Sequence, residues 1–159
     1  MKSALFLLLA LVPLGTQAQT STEQSACTAA AGTFMTGTVV SDPTFAYGSY
    51  RQGVELSHTH IQVQSDSDGS NYDIAIDNVY ADGYDQAGDS VPDPLTSLVT
   101  GTRVELCGLP FPGGMHWVHS NCGAQPTSSD PDGWVKVLDS LNNPGPNLEE
   151  NQEYCYLWN

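Results

Sequence analysis

The sequence has 159 residues and is strongly acidic, because 18 Asp and Glu residues stand against four Lys and Arg residues, a formal net charge of −14 at pH 7. Nonspecific binding to nucleic acid depends on Lys and Arg side chains that displace counterions from phosphates, so this composition disfavours a nucleic-acid partner. A saline habitat would explain the same charge. The length is typical of one domain with a single core.

The first 18 residues have the form of a secretory signal. A positively charged start precedes an apolar run over 4–14, and small residues stand at the positions that signal peptidase reads before a cut after Ala18. We expect a mature protein in the periplasm or outside the cell, with an N-terminal extension over 19–31 and one domain over 32–159. No later segment approaches the ~20 apolar residues of a membrane-spanning helix, so no membrane association is expected.

Most of the remaining chain has the composition of β-strands. Segments rich in Val, Ile, Tyr, Phe and Thr alternate with clusters of Gly, Pro, Asp and Ser. These segments span 33–40, 58–64, 72–80, 97–107, 115–119 and 134–138. Only 93–99 suits a short helix. The pattern predicts an all-β fold, a small OB-like barrel or sandwich of five to six strands.

The four cysteines form an even set in a chain that we expect to be exported, which predicts two disulfides rather than thiolate metal ligands. Three pairings are possible. We favour Cys27 with Cys155, which would tie down the C-terminal tail, and Cys107 with Cys122, which would close the loop around the second histidine motif.

All four histidines lie in two short motifs, His58-Thr59-His60 and His116-Trp117-Val118-His119. Neutral imidazole is a frequent ligand of zinc and of other divalent metals. The two pairs of donors therefore make His58, His60, His116 and His119 candidate ligands of a divalent metal, with zinc as the first choice.

The first motif lies on a predicted strand whose hairpin register follows from side-chain alternation. Along 58–64, Ile61 and Val63 share one face, and the two histidines share the other. The next predicted strand has the same alternation, and the two apolar faces must match across the turn at 65–70. This register pairs Ile61 with Ile74.

The same register opposes His58 to Asp77 and His60 to Ala75. A carboxylate beside an imidazole fixes the tautomer of a metal ligand or orients a general base. Asp77 is therefore a candidate catalytic residue, with Glu55 as the alternative. The other interpretation is that this face of the hairpin is merely solvated.

The second motif allows two backbone conformations. On a regular strand His116 and His119 point to opposite faces, whereas in a turn they converge. Gly and Pro residues before the motif, and Asn121-Cys122-Gly123 after it, favour an irregular backbone. His119 is the second candidate catalytic residue, and Trp117 is a core residue or a platform for substrate.

The run GGMHWVH over 113–119, followed by Asp130-Pro131 and Gly133-Trp134, resembles the closing signature of an uncharacterised family of small secreted bacterial proteins. That signature reads GG-x-HWTH, then DP and GW. The run 72–78 and the second histidine motif are also similar to pieces of the uncharacterised YukJ-like family. The first resemblance covers roughly 32–138, and the chain departs from it at Ser120-Asn121-Cys122 and in an acidic loop after Tyr80.

The resemblance implies an OB-like fold with a histidine-centred site and no established reaction. Carried over by position, it supports His60, Asn78, His116 and His119 more than His58. Asn78 and Trp134 join Trp117 as candidate substrate contacts.

A calcium site is a separate hypothesis. Oxygen side chains alternate before Gly69, as in a calcium-binding loop, with Asp66, Asp68 and Asp73 as the candidate ligands. The terminal Glu and the flanking helices of such a loop are missing, and a hairpin turn needs the same residues.

Two functions are consistent with these patterns. The first is an exported metal-dependent hydrolase that acts on a small-molecule or cell-envelope substrate, at a phosphodiester, ester or amide bond, with water in the open metal position. The second is a noncatalytic extracellular OB-like module that binds a ligand or a metal. A purely structural role of the histidines is the third interpretation, and the sequence indicates no oligomeric state.

Overall fold

The computed structural model describes residues 15–158. The predicted signal segment 1–18 lies outside the described residues except for 15–18. In the described part of the chain, no helix is both long and apolar enough to cross a membrane.

The described residues form one β-sheet with short helical connections. The strands are β1 (Thr33–Val39), β2 (Thr44–Arg51), β3 (Val54–Ser65), β4 (Asn71–Asp77), β5 (Arg103–Phe111), β6 (Gly114–His116), β7 (Trp134–Leu138) and β8 (Pro144–Asn147). The helices are α1 (Gly15–Ala29), α2 (Tyr84–Ala87) and short 3₁₀ turns at Asn78–Tyr80, Asp93–Ser97 and Cys155–Trp158.

The sheet closes on itself. Its barrel strands follow the order β1-β3-β4-β6-β5, and β5 returns to pair with β1. The pair β4 and β6 is parallel, whereas the other barrel pairs are antiparallel. This arrangement confirms the predicted all-β, OB-like barrel. Strands β2, β7 and β8 pair outside the closed barrel, and β2 and β8 are the two strands that were not predicted.

The barrel interior holds the apolar side chains of alternating strand positions. Its fully buried members come from every barrel strand and from the segment after β4, and they include Ile61, Ile74, Val104, Met115 and Leu95. Burial of such side chains stabilises a fold by about 1.5 to 3 kcal/mol each. The polar residues that alternate with them on β3 and β4 consequently face outward.

The register predicted for the hairpin of β3 and β4 is confirmed. His58 opposes Asp77, His60 opposes Ala75, and Ile61 opposes Ile74. The apolar residues on this hairpin lie in the core, and the histidines lie on the outer face. Local alternation thus determines the pairing.

Three predicted strands are too long. The strand predicted over 97–107 begins only at Arg103, since the preceding segment is a 3₁₀ turn and a loop whose Leu95 and Leu98 are fully buried in the barrel core. The strand predicted over 72–80 ends at Asp77, where the next 3₁₀ turn begins. The strand predicted over 115–119 ends at His116.

Two disulfides are present, but the predicted pairing is wrong. The structure joins Cys27 to Cys107 and Cys122 to Cys155. The cause is the pairing of β1 with β5, which opposes Phe34 to Cys107 and so brings the end of α1 beside that cysteine. Cys122 follows the second histidine motif and meets the C-terminal tail instead.

Helix α1 is also held to the barrel by charge. Lys136 Nζ lies 2.8 Å from a carboxylate oxygen of Glu23 and 3.4 Å from one of Glu105. Burial raises the pKa of Glu105 to about 7, against the lowering effect of Lys136. Cleavage after Ala18 would fall within α1 and would retain both this contact and the Cys27 disulfide.

Candidate functional site

A cleft of about 810 Å³ opens on the outer surface of β3 and β4. Its other walls come from the segment after β6 and from the C-terminal tail. The side chains that line it include Leu56, His58, Asp77, Tyr80, Trp117, His119, Asn121, Asp130 and Trp158.

Asp77 joins the two histidine motifs within this cleft. Its Oδ1 lies 2.5 Å from His58 Nε2, and its Oδ2 lies 3.2 Å from His119 Nε2. Asp77 is the last residue of β4 and opposes His58 on β3, whereas His119 comes from the segment after β6. Imidazoles far apart in the sequence therefore share one carboxylate.

His119 has a hydrogen-bond acceptor at each ring nitrogen. Its Nδ1 lies 2.8 Å from the carbonyl oxygen of Ser120, and its Nε2 faces Asp77. A carbonyl oxygen only accepts hydrogen bonds, so Nδ1 is the donor to Ser120, and Nε2 is left to face the carboxylate. The contact with His119 offsets part of the cost of burying the Asp77 carboxylate.

The contacts with His58 and His119 change the pKa of Asp77. Burial by itself would raise the pKa of Asp77, but the hydrogen bonds from His119 and His58 outweigh burial and hold the pKa of that carboxyl well below its usual range. The hydrogen bond to Asp77 raises the pKa of His58, although burial opposes the shift. Asp77 is therefore an anion at neutral pH.

His58 is the accessible member of the group. Its side chain is 32% exposed, compared with 16% for Asp77 and 7% for His119. Because Nε2 is bonded to Asp77, the ring has Nδ1 free of any protein hydrogen bond within residues 15–158. This arrangement suits a base that is oriented by a carboxylate.

Aromatic rings surround His119. The Tyr80 ring stacks on the imidazole with centroids 3.9 Å apart and planes at 5°. Trp117 lies 6.3 Å from His119, and Trp158 lies 5.3 Å from Tyr80, between ring centroids. Burial raises the pKa of Tyr80, so its phenol stays neutral.

An irregular backbone brings His119 to Asp77. Trp117 has a φ of 54°, in the left-handed region that few non-glycine residues adopt. At this residue the chain turns away from the direction of β6. Gly133 packs against this turn, where a Cβ would lie 2.4 Å from the Trp117 carbonyl oxygen. The backbone N–H of Ser120 donates to the Glu149 carbonyl, and Cys122 is bonded to Cys155.

Asn78 has a different place from the one predicted. It is buried, its Oδ1 accepts a 2.6 Å hydrogen bond from Thr59, and its Nδ2 donates a 3.0 Å hydrogen bond to Ser57. Both ends of the amide are thus used within the protein. Asn78 fixes the residues beside Asp77 against β3 and does not line the cleft.

His60 and His116 lie outside the cleft lining. His60 Nδ1 contacts the Asp73 carboxylate at 3.0 Å, and its ring centroid lies 6.2 Å from that of His58. The His116 ring makes an edge contact with Phe111. Burial lowers the pKa of His116, which favours its neutral form.

Across residues 15–158, no three His, Cys, Asp or Glu side chains are grouped as a ready-made metal site. The predicted ligands His58 and His60 nevertheless share one face of β3, and each has one ring nitrogen on a carboxylate. The predicted calcium ligands are engaged elsewhere. Asp66 binds Arg103, and Asp68 binds Tyr72 and Ser70.

Trp134, predicted as a substrate contact, is not in the cleft lining. Its ring lies under the Lys136 ammonium at 4.5 Å, and both residues belong to β7, outside the closed barrel. Trp117, by contrast, lines the cleft.

Several site residues carry no recognisable signal in the sequence. Tyr80, Asn121, Asp130 and Trp158 reach the cleft from connections that have no periodic pattern. Glu149 is fully buried near the site, and burial followed by the charge of Asp77 raises its pKa well above the usual value. The histidine motifs and the carboxylate opposite His58 are the sequence features that indicate this region.

Comparison with protein-family models, with curated proteins and with solved structures finds no match for this chain.

Proposed function

We propose that this chain is an exported hydrolase whose active site is the cleft around His58, Asp77 and His119. The observation that carries the proposal is the shared carboxylate, since Asp77 holds two imidazoles at the floor of a cleft large enough for a small-molecule ligand. Export is supported by the signal-like start of the sequence and is consistent with the two disulfides.

His58 is the general base in this proposal. Water that is bound at Nδ1 gives a proton to the ring as its oxygen attacks the ester or amide carbon of the substrate. Asp77 stabilises the imidazolium that forms, through the hydrogen bond at Nε2. The proton then passes from His58 to the leaving oxygen or nitrogen, which restores the neutral ring.

His119 and Tyr80 are positioning residues. The His119 ring holds the second oxygen of Asp77, so the carboxylate keeps its orientation toward His58. Tyr80 covers the face of His119 and excludes water from it. An ester or amide of an envelope component suits the cleft better than a polyanion, because the chain repels phosphates.

Activity of purified variants tests the proposal. With p-nitrophenyl acetate and a p-nitroanilide as probes, His58→Gln and Asp77→Asn should each lower kcat/KM by roughly 10²- to 10⁴-fold, the contribution of a general base. His60→Gln is the matched control, since His60 lies on the same face of β3 and contacts a carboxylate outside the cleft. It should retain wild-type activity, and EDTA should have no effect.

A metal-dependent hydrolase is the second candidate. It is favoured by the carboxylate contacts of His58 and His60, because metal-binding histidines generally place their second nitrogen on such a group. In that case the purified protein contains near-stoichiometric zinc, and EDTA lowers both its activity and its melting temperature. His60→Gln and His116→Gln would then lose the metal. If neither probe is hydrolysed, both candidate functions are contradicted.

A further inference from the structure

Exposed aromatic side chains form a band beside the cleft. Tyr47 and Tyr50 on β2 are each 71% exposed, and in the C-terminal tail Tyr156 is 50% and Trp158 is 40% exposed. Together with Tyr84 and Tyr154, they are called the aromatic band below. Soluble proteins seldom leave such a concentration of large rings in water without a binding role.

The rings of the band are held in place by their hydroxyl groups. Tyr50 donates to a Glu55 carboxylate oxygen at 3.4 Å, and Tyr84 donates to the Glu55 backbone carbonyl. Tyr47 donates to Asp89 at 3.4 Å. Little conformational entropy remains to be lost by these rings when a ligand stacks on them.

The exposed residues Tyr47 and Tyr50 lie at a bulge in β2. The register of β2 with β3 shifts between Ala46 and Ser49, and a Cβ on Gly48 would lie 1.6 Å from the Leu56 carbonyl oxygen. Glycine is therefore required at the bulge. Within residues 15–158, β3 is the one strand that pairs with β2.

The band is continuous with the cleft. The Tyr84 ring contacts Tyr154 at 5.3 Å between centroids, and Tyr154 lies 6.1 Å from Tyr156. Trp158 follows in the same 3₁₀ turn, contacts Tyr80, and lines the cleft. A chain-like ligand on the band would thus extend to His58.

We infer that the aromatic band binds a polysaccharide without acidic groups, one segment of which enters the cleft. The charged groups beside the rings include the carboxylates of Glu55, Asp85 and Asp89 and one cation, the Arg51 guanidinium, which lies 5.5 Å from the centroid of the Trp158 ring. Carboxylates accept hydrogen bonds and donate none, so they match a ligand that is rich in hydroxyl donors. Sugar rings combine such hydroxyls with apolar faces that stack on aromatic side chains.

The net charge of −14 disfavours the binding of anionic polymers and anionic surfaces. Nucleic acids, anionic lipid surfaces and uronic-acid polysaccharides would be repelled. The binding surface is independent of the chemistry proposed for His58. That the bound polysaccharide also carries the bond to be hydrolysed rests on the proposed function.

Affinity gel electrophoresis of the purified full chain tests the inference. Hydroxyethylcellulose and glycol chitin are the neutral probes, and polygalacturonate is the anionic probe. The protein should be retarded by at least one neutral polymer and not by polygalacturonate. The Tyr47→Ala/Tyr50→Ala variant should bind about tenfold more weakly, because two stacking surfaces for the ligand are removed.

Two control variants make the result specific. Phe111→Ala removes an exposed ring on the hairpin of β5 and β6 and should leave retardation unchanged. His58→Gln should also bind normally although it loses hydrolysis. Wild-type protein that is retarded by a neutral polymer but hydrolyses neither p-nitrophenyl acetate nor the p-nitroanilide would contradict only the proposed function. Absence of retardation by both neutral polymers, equal retardation by polygalacturonate, or full retardation of the tyrosine variant would overturn the inference.

Discussion

Asp77 determines the chemistry of the site because it is the residue on which both histidine motifs meet. Its carboxylate is mostly buried and has one imidazole at each oxygen. The His119 ring is buried with a partner at each nitrogen, whereas His58 is the accessible ring with one nitrogen open. One carboxylate thus gives two chemically identical residues different roles, a positioning residue and a base.

Removal of the Asp77 carboxylate should destabilise the folded protein. Asp77→Asn should lower the free energy of unfolding by about 3 kcal/mol, since it breaks two mostly buried carboxylate contacts, with His58 and with His119, at once. Asp73→Asn is the matched control, because Asp73 pairs with the more exposed His60 and should cost less than about 1 kcal/mol. Urea denaturation at pH 7 measures both.

The depressed pKa of Asp77 gives the pH dependence its sign. Its stabilising contribution is present above the ordinary carboxyl pKa of about 4 and declines as the pH falls from there toward the native value. The stability difference between wild type and Asp77→Asn should therefore shrink in acid. A difference that stays constant down to about pH 2 would contradict the pairing.

At the scale of elements, the hairpin of β3 and β4 is predictable because its register is local. Alternation on two adjacent strands and a short turn leave few ways to match the apolar faces. The same alternation is sufficient to place Asp77 beside His58. It cannot place His119, whose approach depends on a left-handed residue at Trp117 and on close packing of Gly133.

Strands β2 and β8 escape prediction for physical reasons. Gly48 interrupts β2 at a bulge, and β8 contains Pro144 and Pro146, which are tolerated because this strand pairs only with β7 among the described residues.

The pairing of the cysteines also cannot be predicted from the local sequence. It depends on the long-range pairing of β1 with β5, which sequence spacing does not encode.

The Cys122–Cys155 disulfide should matter more to the site than to the barrel. It ties the tail that carries Trp158 to the segment after His119. Cys122→Ala/Cys155→Ala should lower stability by roughly 3 kcal/mol, as expected for a loop of this size, and should also reduce hydrolysis and glycan binding.

Cys27→Ala/Cys107→Ala is the comparison for that experiment. This double variant should lower the free energy of unfolding by a similar amount, because the disulfide fixes α1 to β5. It should nevertheless preserve kcat/KM in the folded fraction. Equal loss of activity in the two double variants would show that the tail has no special role at the cleft.

For the whole molecule, barrel closure is what creates the site. The outer face of β3 and β4 supplies His58 and Asp77, and the return of the chain through β6 supplies His119. Around this paired cluster the surface is strongly acidic, with a net charge of −14. We therefore expect the molecule to repel polyanions, and it presents aromatic rings beside its cleft.

The most direct test of the shared carboxylate is ¹⁵N NMR of the imidazole rings, which is simple in a chain with four histidines. Near pH 6, we expect Asp77→Asn to shift the nitrogen signals of both His119 and His58, because each ring loses its hydrogen bond to the carboxylate, while those of His60 stay unchanged. Identical His58 and His119 signals in the wild type and in Asp77→Asn would contradict the account.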